Sequence, residues 1–136
     1  MADCVFCRIV AGSSPALLVF RDDDACAFLD IDPVRPGHVL VIPNRHVTGM
    51  TADGAAEAWA DTGRAVAAVA RILTRRLPAD GLSIFQSNGE SAGQTVNHLH
   101  LHLVPRTAGD GRLTNWVGDE RAHADIESIH RRITAS

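Results

Sequence analysis

The stretch His98-Leu99-His100-Leu101-His102-Leu103-Val104 decides how the chain is organised, because three histidines alternate strictly with leucines. Alternation with a period of two predicts a β-strand that turns the imidazoles to one face and the leucines to the other. An imidazole titrates near neutral pH, so such a row can exchange protons, bind a metal or act as a nucleophile. The predicted strand therefore has one face for packing and one for chemistry.

Three interpretations of the histidine face stand at this point. A solvated strand that happens to be rich in histidine is disfavoured, because the opposite face is uniformly leucine. A metal shared by all three histidines is excluded, since positions i and i+4 on a strand lie roughly 13 Å apart at about 3.3 Å per residue. Two of them with a distant ligand can still bind zinc. The even spacing best suits a nucleophilic His100 flanked by His98 and His102.

The loop before this strand is rich in uncharged hydrogen-bonding groups. It runs from Asn88 to Thr95, with glycines at 89 and 93 and with Gln94 next to Thr95. Such a loop beside a histidine face suits an anion, for instance a phosphate, held without fixed positive charge. The composition of the loop alone, however, favours an ordinary solvated turn.

The composition is that of a compact enzyme and disfavours other classes of protein. The chain has 136 residues, 46% of them hydrophobic, which predicts a single domain over residues 1–136. A net charge of -3 provides no basic field for a nucleic-acid backbone, and an odd count of 3 cysteines argues against a disulfide framework. No apolar run reaches membrane-spanning length and no signal segment is recognisable. We therefore expect a cytoplasmic protein without nucleic-acid or membrane partners.

The remaining patterns predict an α+β domain with one long helix on a mostly antiparallel sheet. The helix is expected from about 53 to 77, stopped by Pro78, with an apolar stripe that includes Trp59 and packs in the core. A helical turn is expected at 6–10, a polar tail over 109–136 has a helical segment from about 119 to 134, and Cys26 is expected to be buried. Further strands are predicted at 17–21, 25–30, 38–43 and 82–87.

The sequence Cys4-Val5-Phe6-Cys7 places two thiols at a spacing that is common in zinc sites. Two more ligands are needed, and the spacing cannot select them from the 7 histidines of the chain. A redox role is an alternative, although redox pairs usually follow a strand deeper in the chain. Reduced thiols without a metal are the third possibility.

Several ordered motifs resemble the histidine triad (HIT) family of nucleotide hydrolases and transferases. The family pattern of alternating histidines, preceded by a Gly-Gln-Ser/Thr-Val segment, appears here as 98–104 and 93–96. The resemblance also covers Asp30-Ile31-Asp32-Pro33, Pro36 to Pro43 and Arg45-His46. It implies a five-stranded, mostly antiparallel sheet with one long helix, usually paired into a homodimer with a continuous sheet. An unpaired edge strand would suit such pairing.

The resemblance implies a two-step displacement at the α-phosphorus of a purine nucleotide. His100 would attack and form a nucleotidyl-histidine, which water then resolves. His102 would hold the phosphate oxygens together with Asn88, Gln94 and Thr95, whereas His38 and His98 would orient the nucleophile. No divalent metal need take part in this chemistry.

The family also implies a nucleoside site and a structural metal site. Asp30 would bind the ribose hydroxyls, although alone it reads as a turn residue. The base would lie among Phe6, Ile9, Phe28 and Ile31, each of which could equally be ordinary core. In one branch of the family, structural zinc binds to positions that correspond to Cys4, Cys7, His46 and His98.

Two branches of the family share motifs with this chain. The Cys-x-x-Cys pair and the stretches 29–33 and 42–46 look more like the purine nucleoside phosphoramidases (Hint-type), which release adenosine monophosphate from amines. The stretches 93–96 and 104–106 are also similar to dinucleoside polyphosphate hydrolases. We favour the phosphoramidase branch, because the other enzymes tend to carry Asn where Asp30 lies. A phosphorylase and a nucleotide sensor with slow turnover are further alternatives.

Overall fold

Five strands form one antiparallel sheet. The computed structural model describes residues 3–111 and four positions of the tail, 124, 127, 128 and 131. The elements are α1 (Val5–Ala11), β1 (Leu18–Arg21), β2 (Ala25–Leu29), β3 (Val39–Pro43), α2 (Ala55–Arg76), β4 (Gly81–Phe85) and β5 (Leu101–Arg106), with a 3-10 turn at Glu90–Ala92. Across the sheet the strands follow the order β1-β2-β3-β5-β4. The predicted α+β class is thereby confirmed, whereas most of the predicted tail helix lies outside the described residues.

Strands β2 and β3 are buried on both faces, which explains their nearly continuous apolar sequences. Helix α2 covers one face, where Val69 and Leu73 pack with Leu101 and Leu103 of β5. Helix α1 covers the other face through Phe6 and its neighbours. Cys26 of β2 is fully buried, as predicted. The two layers leave the histidines of the 98–104 stretch on the α1 side of the sheet.

The long helix packs through small residues, and the prediction that Trp59 belongs to the core is wrong. Trp59 is 40% exposed, whereas Ala58 and Ala65 are fully buried. The buried face of the helix runs through Ala58, Ala65 and other residues spaced three or four apart, and Trp59 lies about 100° around the helix from Ala58. The helix ends at Arg76, because Leu77 takes an extended conformation before Pro78.

Strand β5 begins at Leu101, although the alternating pattern predicts a strand from His98. In the register that pairs Val41 with Leu101, position 99 would lie opposite Pro43. Proline has no N–H to donate, so the ladder with β3 stops there. The Leu99 N–H instead donates to the Val47 carbonyl at 2.6 Å. His98 and His100 therefore precede the regular strand, while Leu99 is still buried among apolar residues.

Strands β1 and β4 are the two edges of the sheet. Strand β4 is half-buried, and Ile84 on it is 50% exposed. The homodimer through an edge strand stays a prediction, which sedimentation equilibrium would test. Within the described part of the chain, no helix combines the length and apolarity required to cross a bilayer.

Candidate active site

The tautomer of His100 is set by the backbone. Its Nδ1 lies 2.7 Å from the carbonyl oxygen of His98, and a carbonyl can only accept, so Nδ1 carries the hydrogen. The neutral ring then has its lone pair on Nε2. His100 is 6% exposed, and its ring meets Phe6 edge-on with centroids 5.3 Å apart. The ring is thus held in one orientation with a nucleophilic nitrogen available.

A second chain of hydrogen bonds sets His38 and His102. The Val34 N–H donates to His38 Nδ1 at 3.1 Å, so the hydrogen of neutral His38 lies on Nε2. That nitrogen is 2.9 Å from His102 Nδ1, which must therefore accept. His102 consequently carries its own hydrogen on Nε2, the side of the ring away from His38. The rings of His100 and His102 are neighbours, with centroids 5.1 Å apart.

Asp30 closes this group from the end of β2. Its Oδ2 lies 3.5 Å from His38 Nε2 and 3.9 Å from His102 Nδ1. Its Oδ1 accepts a hydrogen bond from the Asp32 N–H at 2.8 Å, which is typical of an aspartate in a turn. We call Asp30, His38 and His102 the Asp–His cluster.

Burial keeps these imidazoles neutral. Burial lowers the pKa of His102 to about 4, and the neighbouring His100 and His38 act in the same direction, whereas Asp30 opposes them. Burial also lowers the pKa of His38, against the opposing charges of Asp30 and Asp32. The neutral state required by the Val34 hydrogen bond is therefore also the one favoured by the surroundings.

The 88–95 loop is braced by Gln94. The Gln94 Oε1 accepts the Gly89 N–H at 2.7 Å, and Nε2 donates to the carbonyls of Thr48 and Val96 at 2.7 and 3.0 Å. Both of its N–H bonds are thus used within the protein, and the side chain is buried.

The other two predicted phosphate contacts lie on the same loop. Asn88 Oδ1 accepts the Met50 N–H at 2.8 Å, and the Asn88 amide pairs reciprocally with that of Gln86. Thr95 is exposed and lines a groove of about 400 Å³ that reaches Cys4 and His46. The side chains of Asn88 and Gln94 therefore tie the loop to the neighbouring backbone.

The four residues predicted to hold the base fall into two groups. Phe6, Ile9 and Phe28 are buried together on the α1 side of the sheet, and Phe6 meets Phe28 edge-on at 5.3 Å. Ile31 is fully exposed, at 102% of its reference surface. The structure thus brings three of the four together beneath His100, and leaves the fourth on the outer loop.

The two thiols and two histidines form a second cluster, which we call the Cys–His cluster. His98 Nδ1 lies 3.5 Å from Cys4 Sγ and 3.6 Å from Cys7 Sγ, and His46 Nδ1 lies 3.2 Å from Cys7 Sγ. All four ligand atoms are within 4.8 Å of one another. The predicted ligands Cys4, Cys7, His46 and His98 are therefore brought together.

The donor set fits a zinc ion. His98 Nε2 lies 2.9 Å from the Pro43 carbonyl and must donate to it, which leaves a lone pair on the Nδ1 that faces the thiols. Burial is the main cause that lowers the pKa of His98 to about 4, so this ring is a neutral ligand. In tetrahedral coordination, bonds of about 2.3 Å to sulfur and 2.1 Å to nitrogen place ligand atoms about 3.5 Å apart. The observed separations match that arrangement.

Sequence reasoning missed the backbone groups that fix these rings. The Val34 N–H, the Pro43 carbonyl and the His98 carbonyl each set one tautomer, yet a peptide group has no residue type that would reveal it. Arg35, beside Val34, was also missed. Its only signal was its position within the 30–38 segment that ends at His38.

Comparison with known proteins places the chain in a family. The HIT domain profile matches residues 11–109, which is most of the chain. The chain belongs to the HIT family, and the resemblance noted in its sequence is confirmed at that level. A crystal structure of a HIT family member from Bacillus subtilis superposes with a TM-score of 0.81 at 35% identity, covering 98% of this chain and 99% of that one.

Two relatives have names that describe an activity. The adenosine 5′-monophosphoramidase HNT1 of Saccharomyces cerevisiae is 30% identical over 135 residues, covering 98% of this chain and 82% of the relative. The adenylylsulfatase HINT3 of Arabidopsis thaliana is 32% identical over 108 residues, covering 79% of this chain and 54% of the relative.

Proposed function

We propose that the protein is a nucleotide hydrolase that cleaves at the α-phosphate of a purine nucleotide, with adenosine monophosphate–amine phosphoramidates as its substrate class. The observation that carries the proposal is the fixed tautomer of His100. Its Nδ1–H is held by a carbonyl at 2.7 Å, so its Nε2 lone pair needs no base to become a nucleophile.

In the first step, the His100 Nε2 lone pair forms a bond to the α-phosphorus. The phosphorus–nitrogen bond breaks, and the amine leaves with that electron pair and takes up a proton. In the second step, water attacks the nucleotidyl-histidine, loses a proton and releases adenosine monophosphate, so that neutral His100 is restored. The net reaction consumes one water. We assign the stabilisation of the phosphoryl oxygens to the Nε2–H of His102.

The remaining predicted residues have supporting roles in this proposal. Asn88 and Thr95 would contact the phosphate, whereas Gln94, whose N–H bonds are engaged with Thr48 and Val96, would keep their loop in place. Asp30 would accept from the ribose hydroxyls through Oδ2, which faces His38 and His102 at 3.5 and 3.9 Å. Phe6, Ile9, Phe28 and Ile31 would form the base site.

We also propose that the Cys–His cluster binds structural zinc. Cys4, Cys7, His46 and His98 would hold the ion, which would tether α1 to the segment before β5. Burial and the neighbouring Cys4 raise the pKa of Cys7, so without a metal this thiol stays protonated. His98 belongs to this cluster through its ring and to the nucleophile through its carbonyl.

The experiment compares three substrates with the wild-type protein and with His100→Ala. The substrates are adenosine 5′-phosphoramidate, adenylyl sulfate and diadenosine tetraphosphate, and the products are separated by chromatography. We expect fastest turnover of the phosphoramidate and a loss of at least about a thousandfold in kcat for His100→Ala, with binding retained. His123→Ala, a histidine of the tail to which we assign no role, is the matched control.

Intact mass spectrometry of the quenched wild-type reaction would detect the nucleotidyl-histidine. A preference for diadenosine tetraphosphate would move the substrate class to dinucleoside polyphosphates. A requirement for inorganic phosphate instead of water would indicate a phosphorylase. Tight nucleotide binding without turnover of any substrate would replace the enzyme by a sensor.

A further inference from the structure

One carboxylate joins two arginines behind the loop that carries His38. Arg106, the last residue of β5, donates to both carboxylate oxygens of Asp110, at 2.9 and 2.7 Å. Arg35 Nε lies 3.6 Å from Asp110 Oδ2, and Arg35 Nη2 donates to the Asp110 carbonyl at 2.6 Å. Bidentate, charge-assisted contacts fix direction as well as distance. Asp110 therefore holds the Arg35 guanidinium against the end of β5.

The same guanidinium holds the backbone beside His38. Arg35 Nη1 donates to the Val34 carbonyl at 2.7 Å, and the Arg35 carbonyl accepts the His38 N–H at 3.1 Å. The Val34 N–H donates to His38 Nδ1 at 3.1 Å. Residue 34, which sets the tautomer of His38, is thus anchored by the arginine that Asp110 fixes.

We infer that Asp110 is a positioning residue for the His38–His102 pair, acting through Arg35 and Val34. Without the carboxylate, Arg106 no longer fixes residue 110, so the carbonyl that accepts from Arg35 Nη2 is displaced and the 30–38 loop loses this hydrogen bond to the segment after β5. The Val34 N–H then no longer holds His38 Nδ1 in its accepting state, and His38 populates the tautomer that cannot donate to His102. The mechanistic importance of this pair rests on the proposed function.

Asp110 lies one residue beyond the segment that matches the HIT domain profile, so the family match itself does not include it. The contact belongs to the boundary between the domain and the tail of this chain. The hydrogen bonds from Arg106, followed by that from the Thr107 N–H, hold the pKa of Asp110 far below its usual range. The carboxylate therefore stays charged, and its contact with Arg106 is kept, at any pH at which the protein would be assayed.

A purely structural clamp is the competing explanation, and the chain offers a matched control for it. Asp61 of α2 is also held by two arginines, with Arg45 at 2.9 Å and Arg64 at 2.8 Å. The Asp61→Ala variant breaks a comparable cluster of one carboxylate and two arginines, which makes no hydrogen bond or ion pair with the 30–38 loop among the described residues.

The experiment records imidazole nitrogen chemical shifts by NMR, together with kcat and KM for adenosine 5′-phosphoramidate. In Asp110→Ala we expect the His38 nitrogens to shift from one tautomer towards a mixture, and kcat to fall about tenfold while KM changes less than about twofold. In Asp61→Ala the His38 and His102 signals should match the wild type, whatever the melting temperature.

The inference is overturned when Asp110→Ala keeps the wild-type His38 nitrogen signals, whether or not kcat changes. The nitrogen shifts need no substrate, so they test the positioning role even if the wild type hydrolyses none of the nucleotides. Arg35→Lys keeps the charge near Asp110 and loses the Nη1 contact to Val34, and it serves if Asp110→Ala does not fold. An unchanged His38 spectrum in Arg35→Lys would equally contradict the inference.

Discussion

The Cys–His cluster and the Asp–His cluster have similar distances between their ligand atoms, but they differ in which ring nitrogens carry hydrogen. In each, the ligand atoms lie within 4.8 Å of one another, so distance alone would make both of them metal sites. In the Cys–His cluster, the Pro43 carbonyl accepts the hydrogen bond from His98 Nε2–H. The lone pair of the neutral ring is therefore on Nδ1, which faces the thiols. In the Asp–His cluster, the Val34 N–H donates to His38 Nδ1. The hydrogen of the neutral His38 ring therefore lies on Nε2, which points towards His102 and Asp30.

The difference teaches that the positions of the hydrogen-bond donors and acceptors separate a metal site from a hydrogen-bonded pair of histidines. A metal at the Asp–His cluster would need a lone pair on His38 Nε2. The neutral ring would then carry its hydrogen on Nδ1, where it would face the Val34 N–H. The resulting conflict of two donors opposes the metal. Zinc at the Cys–His cluster meets no such conflict, because soft thiols and a fixed imidazole lone pair already face each other.

Metal binding is the most direct way to break this comparison. We expect one equivalent of zinc per chain, lost in Cys4→Ser/Cys7→Ser and retained in Asp30→Asn/His102→Asn. Because the ion binds the folded state, chelation should lower the free energy of unfolding by about 4 kcal/mol when free zinc exceeds Kd about a thousandfold. Zinc analysis by mass spectrometry and thermal melts with and without chelator measure this. A second zinc that disappears in Asp30→Asn/His102→Asn would contradict the distinction.

The backbone support of the Asp–His cluster is tested by Gly37→Ala. Gly37 has a φ of +86°, and a Cβ there would overlap Leu77 Cδ1 and lie 3.1 Å from Pro105 Cγ. We expect a loss of about 2–4 kcal/mol in unfolding free energy, from the left-handed conformation and the displaced side chains.

Gly93→Ala is the matched control for that substitution. Gly93 has a φ of +96°, and among the described residues no atom outside the two adjoining residues lies within 4 Å of the place that an added methyl group would take, so the backbone strain alone of about 1–2 kcal/mol remains. Denaturant unfolding measures both variants. Gly37→Ala should also disturb the His38 signals and leave zinc binding intact. Equal losses in the two variants would show that the packing around Gly37 contributes nothing.

The part of the site that sequence reasoning could predict consists of distinctive side chains in distinctive spacing. The alternating histidines and the Cys4-x-x-Cys7 pair have such signals, and the sheet follows from apolar strands such as β3. Asp30, His46 and the remaining ligands required the family resemblance, because a single carboxylate or imidazole has many ordinary uses.

The remainder depends on tertiary geometry that no local pattern encodes. The start of β5 at Leu101 depends on a proline opposite position 99 in another strand. The exposure of Trp59 depends on which face of the helix packs against the sheet. The tautomers depend on peptide groups, and these are chemically the same at nearly every residue. Alternation therefore singled out the three histidines, whereas only the fold could say which nitrogen of each ring carries the hydrogen.

The last test concerns the pH dependence of stability that His102 contributes. Its pKa is lowered from 6.5 to about 4 in the folded chain, chiefly by burial. Between these values the unfolded chain binds a proton that the folded chain does not, so stability falls as pH drops from about 6.5 towards 4. His102→Asn cannot titrate but can still accept from His38 Nε2 through its amide oxygen.

The difference in unfolding free energy between the wild type and His102→Asn isolates the contribution of His102 to the pH dependence, because the other buried histidines are present in both proteins. We expect the wild type to lose on the order of 2 kcal/mol more than His102→Asn between pH 7 and about 4.5, after allowance for partial exposure of the ring. Urea unfolding at fixed zinc concentration across this range gives the values. If stability fell with pH equally in the two proteins, His102 would not be held neutral in the folded chain. The argument from hydrogen positions that distinguishes the Asp–His cluster from a metal site would then not hold for His102.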